Sequence, residues 1–317
     1  MCAVFGFLDY RGKISNATLK KLIHYLSIAA EVRGTDATGI AYVRGSSIVT
    51  YKKPKPAHKV KLFFPRGTRS VIGHTRFTTQ GSEKRNCNNH PFDGHCGTEA
   101  FALAHNGVLY NDKELRREQH LPPTPVETDS YIAVQLLEQG QQLDTENVRR
   151  TAELVEGSFV FTILRNDNTL FLVKGNNPLT LYHFPALGLY VYASTKSILD
   201  NALQKVHIAE KACEVEIAEG EIIEYLRVAI SISTFEMQDY IHTMFNPYNW
   251  DYAKWWMEDE REKLLLEYCS TFGVSEEEVE LLLEVGYNPD EIEELLMDTA
   301  AMEEALSEAK TLLQCEA

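Results

Sequence analysis

The sequence predicts an α+β chain in which stacked β-sheets are covered by helices and a small, acidic, all-α region follows. Three observations carry that reading. Short β-rich runs recur at 3–8, 39–43, 47–51, 71–75, 101–106, 159–164, 170–174, 189–193 and 221–225, bounded by Gly, Asn or Pro. Helical periods are fewer, at 17–30, 129–139 and 147–155. Charge then changes abruptly: from Trp256 to Ala317 there are 19 acidic against three basic residues, leaving 27 of the 46 acids and 28 of the 31 bases in residues 1–255. The net charge of -15 thus belongs to the tail, which argues against nucleic acid as a partner.

The 317 residues suffice for one large or two ordinary domains with a sizeable core, and 44% hydrophobic with 24% charged residues excludes a disordered, collagenous or coiled-coil chain. No apolar run approaches the roughly 18 residues of a membrane span. The opening MCAVFGFLDY lacks a basic n-region and a small-residue cleavage site, so a cytoplasmic location is expected. Within the first unit, the helix at 129–139 opens with Thr128 or Asp129 as N-cap candidate. After it comes an aromatic bridge, MFNPYNWDYAKWW at 244–256, holding all three tryptophans. In the tail, Asp251 caps a run reaching Phe272, Ser275 with Glu278 forms a capping box, Gly286 ends that helix and Pro289 starts another. Leu281, Leu282 and Val285, then Ile292, Leu295 and Leu296, give narrow apolar stripes on acidic helices. Stripes so narrow on a self-repelling segment are a weak reason to fold compactly, so a basic surface is expected against them. The stretch 51–69, with seven Lys or Arg and no acid, is one candidate; a solvated loop is the plainer reading of it.

Six cysteines, at 2, 87, 96, 213, 269 and 315, are spread over a chain too large to need a disulfide scaffold, and reduced thiols are expected. Cys87, His90, His95 and Cys96 lie within one ten-residue loop, poor spacing for a zinc tetrahedron, so no metal and no cofactor is expected. Cys2 differs, because its small side chain suits removal of Met1, which would leave a thiol beside a free amine on one residue. An α-amine titrates at about 7.7–8.0 and a thiol near 8.5, so the amine can serve as general base for its own sulfur. The alternative is a small buried residue at the start of the first strand.

Seven polar or Gly-rich strings decide between these readings by their order: MCAVFGF at 1–7, EVRGTDATGIA at 31–41, GHTRFTTQG at 73–81, NNHPF at 88–92, AHNGVLYN at 104–111, ETDS at 127–130 and EGSFVFTIL at 156–164. Together they resemble the class II, N-terminal-nucleophile glutamine amidotransferase domain, over roughly residues 2–231. The resemblance implies a four-layer αββα sandwich with Cys2 as nucleophile. It also implies that Arg76 grips the glutamine α-carboxylate through a planar fork, that Asp129 pairs with the substrate ammonium and that Thr79 offers a hydroxyl nearby. Asn106 and the Gly107 N–H would form the oxyanion hole, and Arg33 would order the closed site. Read alone, Arg76 would be a surface ion pair, Asp129 a helix cap and Asn106-Gly107 an ordinary turn. Phe77 and Gln80 stand where the sugar-phosphate synthase of the family has tryptophan and histidine, which leaves open free glutamine or a larger γ-glutamyl compound as substrate.

The expected organisation is a glutaminase domain at 2–231, an aromatic linker at 232–256 and an acidic helical docking region at 257–317. Three functions remain open: a glutaminase supplying ammonia to a separate synthase or acceptor protein docked through the C-terminal helices, a stand-alone hydrolase of glutamine or a γ-glutamyl amide, or a non-catalytic binding protein on the same fold.

Overall fold

β1 (Ala3–Asp9) is buried along its whole length, which requires strand neighbours on both edges and cover on both faces. The structure, a computed structural model, describes residues 2–208, 210–226, 229–238, 265–266, 269, 274–287, 291–292, 295–296, 301–302 and 305–310. β1 pairs antiparallel with β4 (Ser70–Arg76) on one side and β10 (Leu189–Ala193) on the other. β2 (Ala37–Arg44), β3 (Ser47–Lys53), β9 (Thr180–Phe184) and β11 (Cys213–Val215) complete a seven-stranded sheet in the order β11-β9-β10-β1-β4-β2-β3. A second, six-stranded sheet contains β5 (Phe92–Cys96), β6 (Glu99–Leu109), β7 (Gly157–Arg165), β8 (Leu170–Lys174), β12 (Glu221–Leu226) and β13 (Ala229–Thr234), in the order β13-β12-β8-β7-β6-β5. Every pairing in both sheets is antiparallel.

The period-2 alternation of each strand assigns its two faces. Val4, Leu8, Ala41 and Ile72 of the first sheet meet Ala102, Ala104, Val160, Leu164 and Leu172 of the second in one apolar core between the sheets. The opposite face of the second sheet, with Phe101, Leu103, Phe159, Phe161 and Phe171, packs on α3 (Tyr131–Glu138) and α4 (Thr145–Leu154) through Ile132, Leu136, Leu137 and Val148. Over the first sheet lies α1 (Asn16–Ala29), capped by Ser15 and burying Leu19, Leu22, Ile23 and Leu26 at helical spacing. α5 (Lys196–Val206), capped by Thr195, lies beside it. α2 (Asp112–Glu118) is a short connector. Helix, sheet, sheet and helix make the four expected layers.

Several boundaries differ from the sequence reading. The helix expected from 129 begins at Tyr131, and neither Thr128 nor Asp129 caps it: Ser130 holds the N-cap position without a side-chain cap bond, and the Asp129 carboxylate is turned to the Leu109 N–H. The first unit ends not at 231 but at Gln238, because β13 runs to Thr234 and Phe235 joins the core under the second sheet.

The second unit, Asp239–Ala317, has a core of its own. α6 (Glu276–Glu284) carries the expected Ser275/Glu278 capping box. Leu282, Ile292 and Leu296 are buried, with Leu281, Val285 and Leu295 packed beside them. The tryptophans, the Asp251 cap and the Pro289 helix start lie outside the described residues.

Candidate active site

Strand parity brings the site together. Cys2 shares its parity with Val4 and Leu8 of β1, Arg76 with Ile72 of β4, and Asn106 with Ala102 and Ala104 of β6. All three side chains are therefore directed to the inter-sheet face. The β1–β4 register sets Ala3 opposite Thr75, so the start of β1 lies beside the end of β4.

Cys2 is partly exposed, and its Sγ donates to the Phe77 carbonyl at 3.4 Å. Burial pushes its thiol pKa up, while Arg76 pulls it down and Asp129 raises it, so these three groups share one electrostatic neighbourhood. A thiol held in its protonated form needs a base before it can attack. Arg33 is buried and donates from Nε to the Cys2 carbonyl at 3.0 Å, fixing the nucleophile's backbone.

The segment after Arg33 braces the other side. Asp36 accepts from the Thr78 N–H at 2.7 Å. A Cβ on Gly34 would lie 2.4 Å from the Arg76 carbonyl carbon, so glycine lets this turn press against the Arg76–Phe77 peptide.

Arg76, only 3% exposed, donates from one terminal nitrogen to Asn89 Oδ1 at 2.7 Å and from the other to the carbonyls of Gln80, at 2.5 Å, and Gly81, at 2.9 Å. Three of its five N–H groups thus hold its own loops, and at most two are left for a ligand. Gln80 accepts from the Asp129 N–H through Oε1 at 2.7 Å. Asn88 and Glu127 join the same two loops by a reciprocal pair of bonds, 2.8 and 3.0 Å. Asp129 is buried, its carboxylate accepts from the Leu109 N–H at 2.7 Å, and burial raises its pKa. Such a carboxylate gains from a cationic partner. Thr79 is exposed and its side chain makes no hydrogen bond among the described residues.

Asn106 is fully buried, yet neither its Oδ1 nor its Nδ2 has a hydrogen-bond partner among the described residues. Buried amides are normally paired, so this one is suited to a ligand. Gly107 follows at φ +141, and a Cβ there would lie 1.9 Å from the Ser158 carbonyl oxygen. Behind Asn106, His105 faces the helices. Its Nδ1 accepts from Ser130 Oγ at 2.8 Å, and its Nε2 donates to the Ser158 carbonyl at 3.3 Å. His74 donates from Nε2 to the His105 carbonyl at 2.9 Å, and its ring lies 4.2 Å from that of His90. Burial drives all three imidazoles toward the neutral form: His74 to about 3, His105 to about 4, and His90 well below its ordinary value.

The polar residues of the ten-residue Cys/His loop are scattered. Cys87 is exposed, His90 is buried against Phe92, and Cys96 bonds the Gly140 carbonyl at 3.1 Å. No group of three His, Cys, Asp or Glu among the described residues is placed to hold a metal ion. In the basic stretch, Lys52 turns inward to the Asn89 and Pro91 carbonyls, at 2.5 and 2.8 Å, and burial lowers its pKa to about 8. No helix among the described residues is long and apolar enough to cross a membrane. Sequence reading missed Asp36, Asn88, Asn89, Ser130 and Asn177 as residues that hold the site. Asn88 and Asn89 lay inside a quoted string, whereas Asn177 in KGNNPL had no signal beyond an ordinary turn composition.

Residues 74–201 match a family described as a glutamine amidotransferase domain. The match contains Arg76, Asn106, Gly107 and Asp129, while Cys2 and Arg33 precede it. The chain is 29% identical over 245 residues to glutamine–fructose-6-phosphate aminotransferase (isomerizing) of Geobacillus kaustophilus, covering 74% of this chain and 37% of that protein. To the protein of the same name from Bacillus cereus it is 32% identical over 191 residues, covering 56% and 30%. This chain therefore spans well under half the length of those relatives. Two solved structures share the fold. One is glutamine phosphoribosylpyrophosphate amidotransferase from B. subtilis complexed with ADP and GMP, with a TM-score of 0.58 and 22% identity over 75% of this chain and 50% of that one. The other is described as the allosteric regulatory enzyme of purine biosynthesis, with a TM-score of 0.60 and 20% identity over the same shares.

Proposed function

We propose that this chain, which carries a class II glutamine amidotransferase domain homologous to glutamine–fructose-6-phosphate aminotransferase, removes the side-chain amide of glutamine through a thioester on Cys2 and supplies the ammonia to a separate partner. The observation that carries the chemistry is the buried, unpartnered Asn106 amide at the end of the sandwich where Cys2, Arg76 and Asp129 meet.

In this reading, removal of Met1 frees the Cys2 amine, which takes the thiol proton. The sulfur attacks the side-chain carbonyl carbon, and the developing oxyanion is met by Asn106 Nδ2 and the Gly107 N–H. Collapse breaks the C–N bond, and the amine returns the proton to the departing nitrogen as ammonia. Water then attacks the thioester, freeing glutamate and restoring the thiol. Arg76 and Asp129 receive the α-carboxylate and α-ammonium, with Gln80 holding the Asp129 backbone and Phe77 supplying the carbonyl beside the thiol. Thr79, on the exposed turn between them, is a contact for a substrate that reaches outward. Arg33 keeps the Cys2 backbone in register.

The partner clause is supported by the separate core of the second unit, an acidic helical module that presents Glu276, Glu277, Glu280 and Glu284 outward. Ammonia release should be compared between the full chain and a chain ending at Gln238, with no acceptor present, followed by a binding assay with each. Hydrolysis retained by both, with partner capture confined to the full chain, is the expected result. Hydrolysis lost on truncation with the first unit still folded would make the second unit part of the active site. Rapid turnover by the full chain with no partner captured would favour a stand-alone hydrolase.

A further inference from the structure

We propose that Asn177 is a positioning residue of the oxyanion site: its side-chain amide holds the Asn106–Gly107 peptide so that the Gly107 N–H is aimed at the substrate carbonyl oxygen. The inference rests on the function proposed above.

Asn177 lies on the turn between β8 and β9 and is only 4% exposed. Its Nδ2 donates to the Asn106 carbonyl oxygen at 2.9 Å, in a buried bond that spans 71 residues of sequence. That oxygen and the Gly107 N–H are opposite ends of one planar trans peptide, so fixing one end fixes the direction of the other. The constraint matters here because Gly107, at φ +141, occupies backbone space where glycine has several accessible orientations and its peptide turns easily. The two groups are in close apposition, since a Cβ on Gly107 would lie 2.7 Å from Asn177 Nδ2.

The anchor is itself anchored. Lys174 Nζ donates to the carbonyls of Asn177, at 2.5 Å, and Gly175, at 3.1 Å. Asn176 Oδ1 accepts from the N–H of Phe159, the residue opposite Gly107 in the β6–β7 register, at 3.2 Å. The KGNN segment thus grips β6, which carries the oxyanion site, and β7 paired beside it. A carbonyl oxygen can only accept, so the residue at 177 must donate, and an aspartate there would set a carboxylate oxygen against it.

The test uses the full chain and two variants, Asn177→Asp, equal in shape without the amide donor, and Asn177→Ala. Three rates or affinities are read. The first is glutamine hydrolysis. The second is inhibition by glutamate γ-semialdehyde, whose aldehyde accepts the Cys2 thiol, sulfur to carbon and proton to oxygen, and places that oxygen in the oxyanion site. The third is alkylation of Cys2 by iodoacetamide, a displacement that builds no oxyanion. Both variants should lose roughly 10- to 100-fold in kcat and in aldehyde affinity, with KM for glutamine within about twofold and the alkylation rate unchanged. Wild-type kcat in either variant, or a fall in alkylation matching the fall in kcat, would overturn the assignment while leaving the glutaminase reading in place. Wild-type protein that neither hydrolyses glutamine nor binds the aldehyde would overturn that reading, and this one with it.

Discussion

Replacing Asn106 by alanine should separate activity from stability in an unusual direction. Its amide is buried with neither polar atom paired among the described residues. An unsatisfied buried polar group costs about 1–3 kcal/mol, and the substitution removes that cost along with some packing. Folding stability should therefore hold or rise by about 0–2 kcal/mol. In a unit of this size each kcal/mol moves Tm by roughly 2–4 °C, so Tm should stay level or climb by several degrees. Activity should fall, since loss of one oxyanion donor costs about 10²–10³ in kcat, or about 2.7–4 kcal/mol of barrier, with KM little changed. His105→Ala is the internal contrast. That ring is bonded to Ser130 and Ser158 and packs 5.0 Å from the Phe161 ring, so its loss should cost about 2–4 kcal/mol and lower Tm by roughly 5–15 °C. Calorimetric melts and steady-state ammonia release on the two variants decide the matter. An Asn106→Ala protein that melts several degrees below wild type would show that the amide is a structural bond, and one with intact kcat would remove it from the chemistry.

Two further outcomes follow from the same neighbourhood. Arg76→Lys should raise KM and also loosen the 80–89 loop, because an ammonium cannot reach Asn89, Gln80 and Gly81 together; limited proteolysis alongside kinetics would register both, and a pure KM effect would mean that the loop contacts are dispensable. His74 and His105 are held neutral with folded pKa values of about 3 and 4, below the roughly 6.5 of an unfolded imidazole. The unfolded chain binds more protons in that interval, so stability is full above about pH 6.5 and declines as pH falls toward 4 and then 3, by about 3 kcal/mol for His105 alone. Denaturant titrations across pH 7.5 to 4.5 would test this, with His105→Gln expected to flatten the slope; an unchanged slope would place that ring in contact with water.

How far the sequence went depends on where each constraint resides. β1, β2, β6 and β7 were legible because both of their faces are buried over most of their length, so each reads as a near-continuous apolar and β-branched run. β5 was missed because FDGHC sets exposed Asp93 and His95 between buried neighbours around a glycine, a pattern shared by loops. Thr128 and Asp129 looked like a helix start because caps are read locally, while the Asp129 carboxylate is engaged by Leu109, 20 residues earlier. The polar residues that hold the site, Asp36, Asn89, Ser130 and Asn177, are types common in turns, and only the tertiary contacts distinguish them. The charge argument on the tail stopped short of its core. It found in narrow stripes on an acidic segment only a weak reason to fold compactly, while Val279, Leu282, Ile292 and Leu296 share a core with Leu265 and Met302, and Glu276, Glu277, Glu280 and Glu284 of α6 are exposed. Net charge does not register how completely a helix segregates its faces.

The central chemical claim is that Cys2, with its own amine free, is the group that attacks glutamine. The direct measurement is intact-mass and peptide mapping of active protein treated with a glutamine-like electrophile such as 6-diazo-5-oxo-L-norleucine. The chain should begin at Cys2 and carry one adduct, on that residue, with loss of activity tracking its formation. Hydrolysis by protein that retains Met1 would exclude the Cys2 amine as the base, and inactivation through exposed Cys87 or Cys213 with Cys2 unmodified would mean that the nucleophile lies elsewhere.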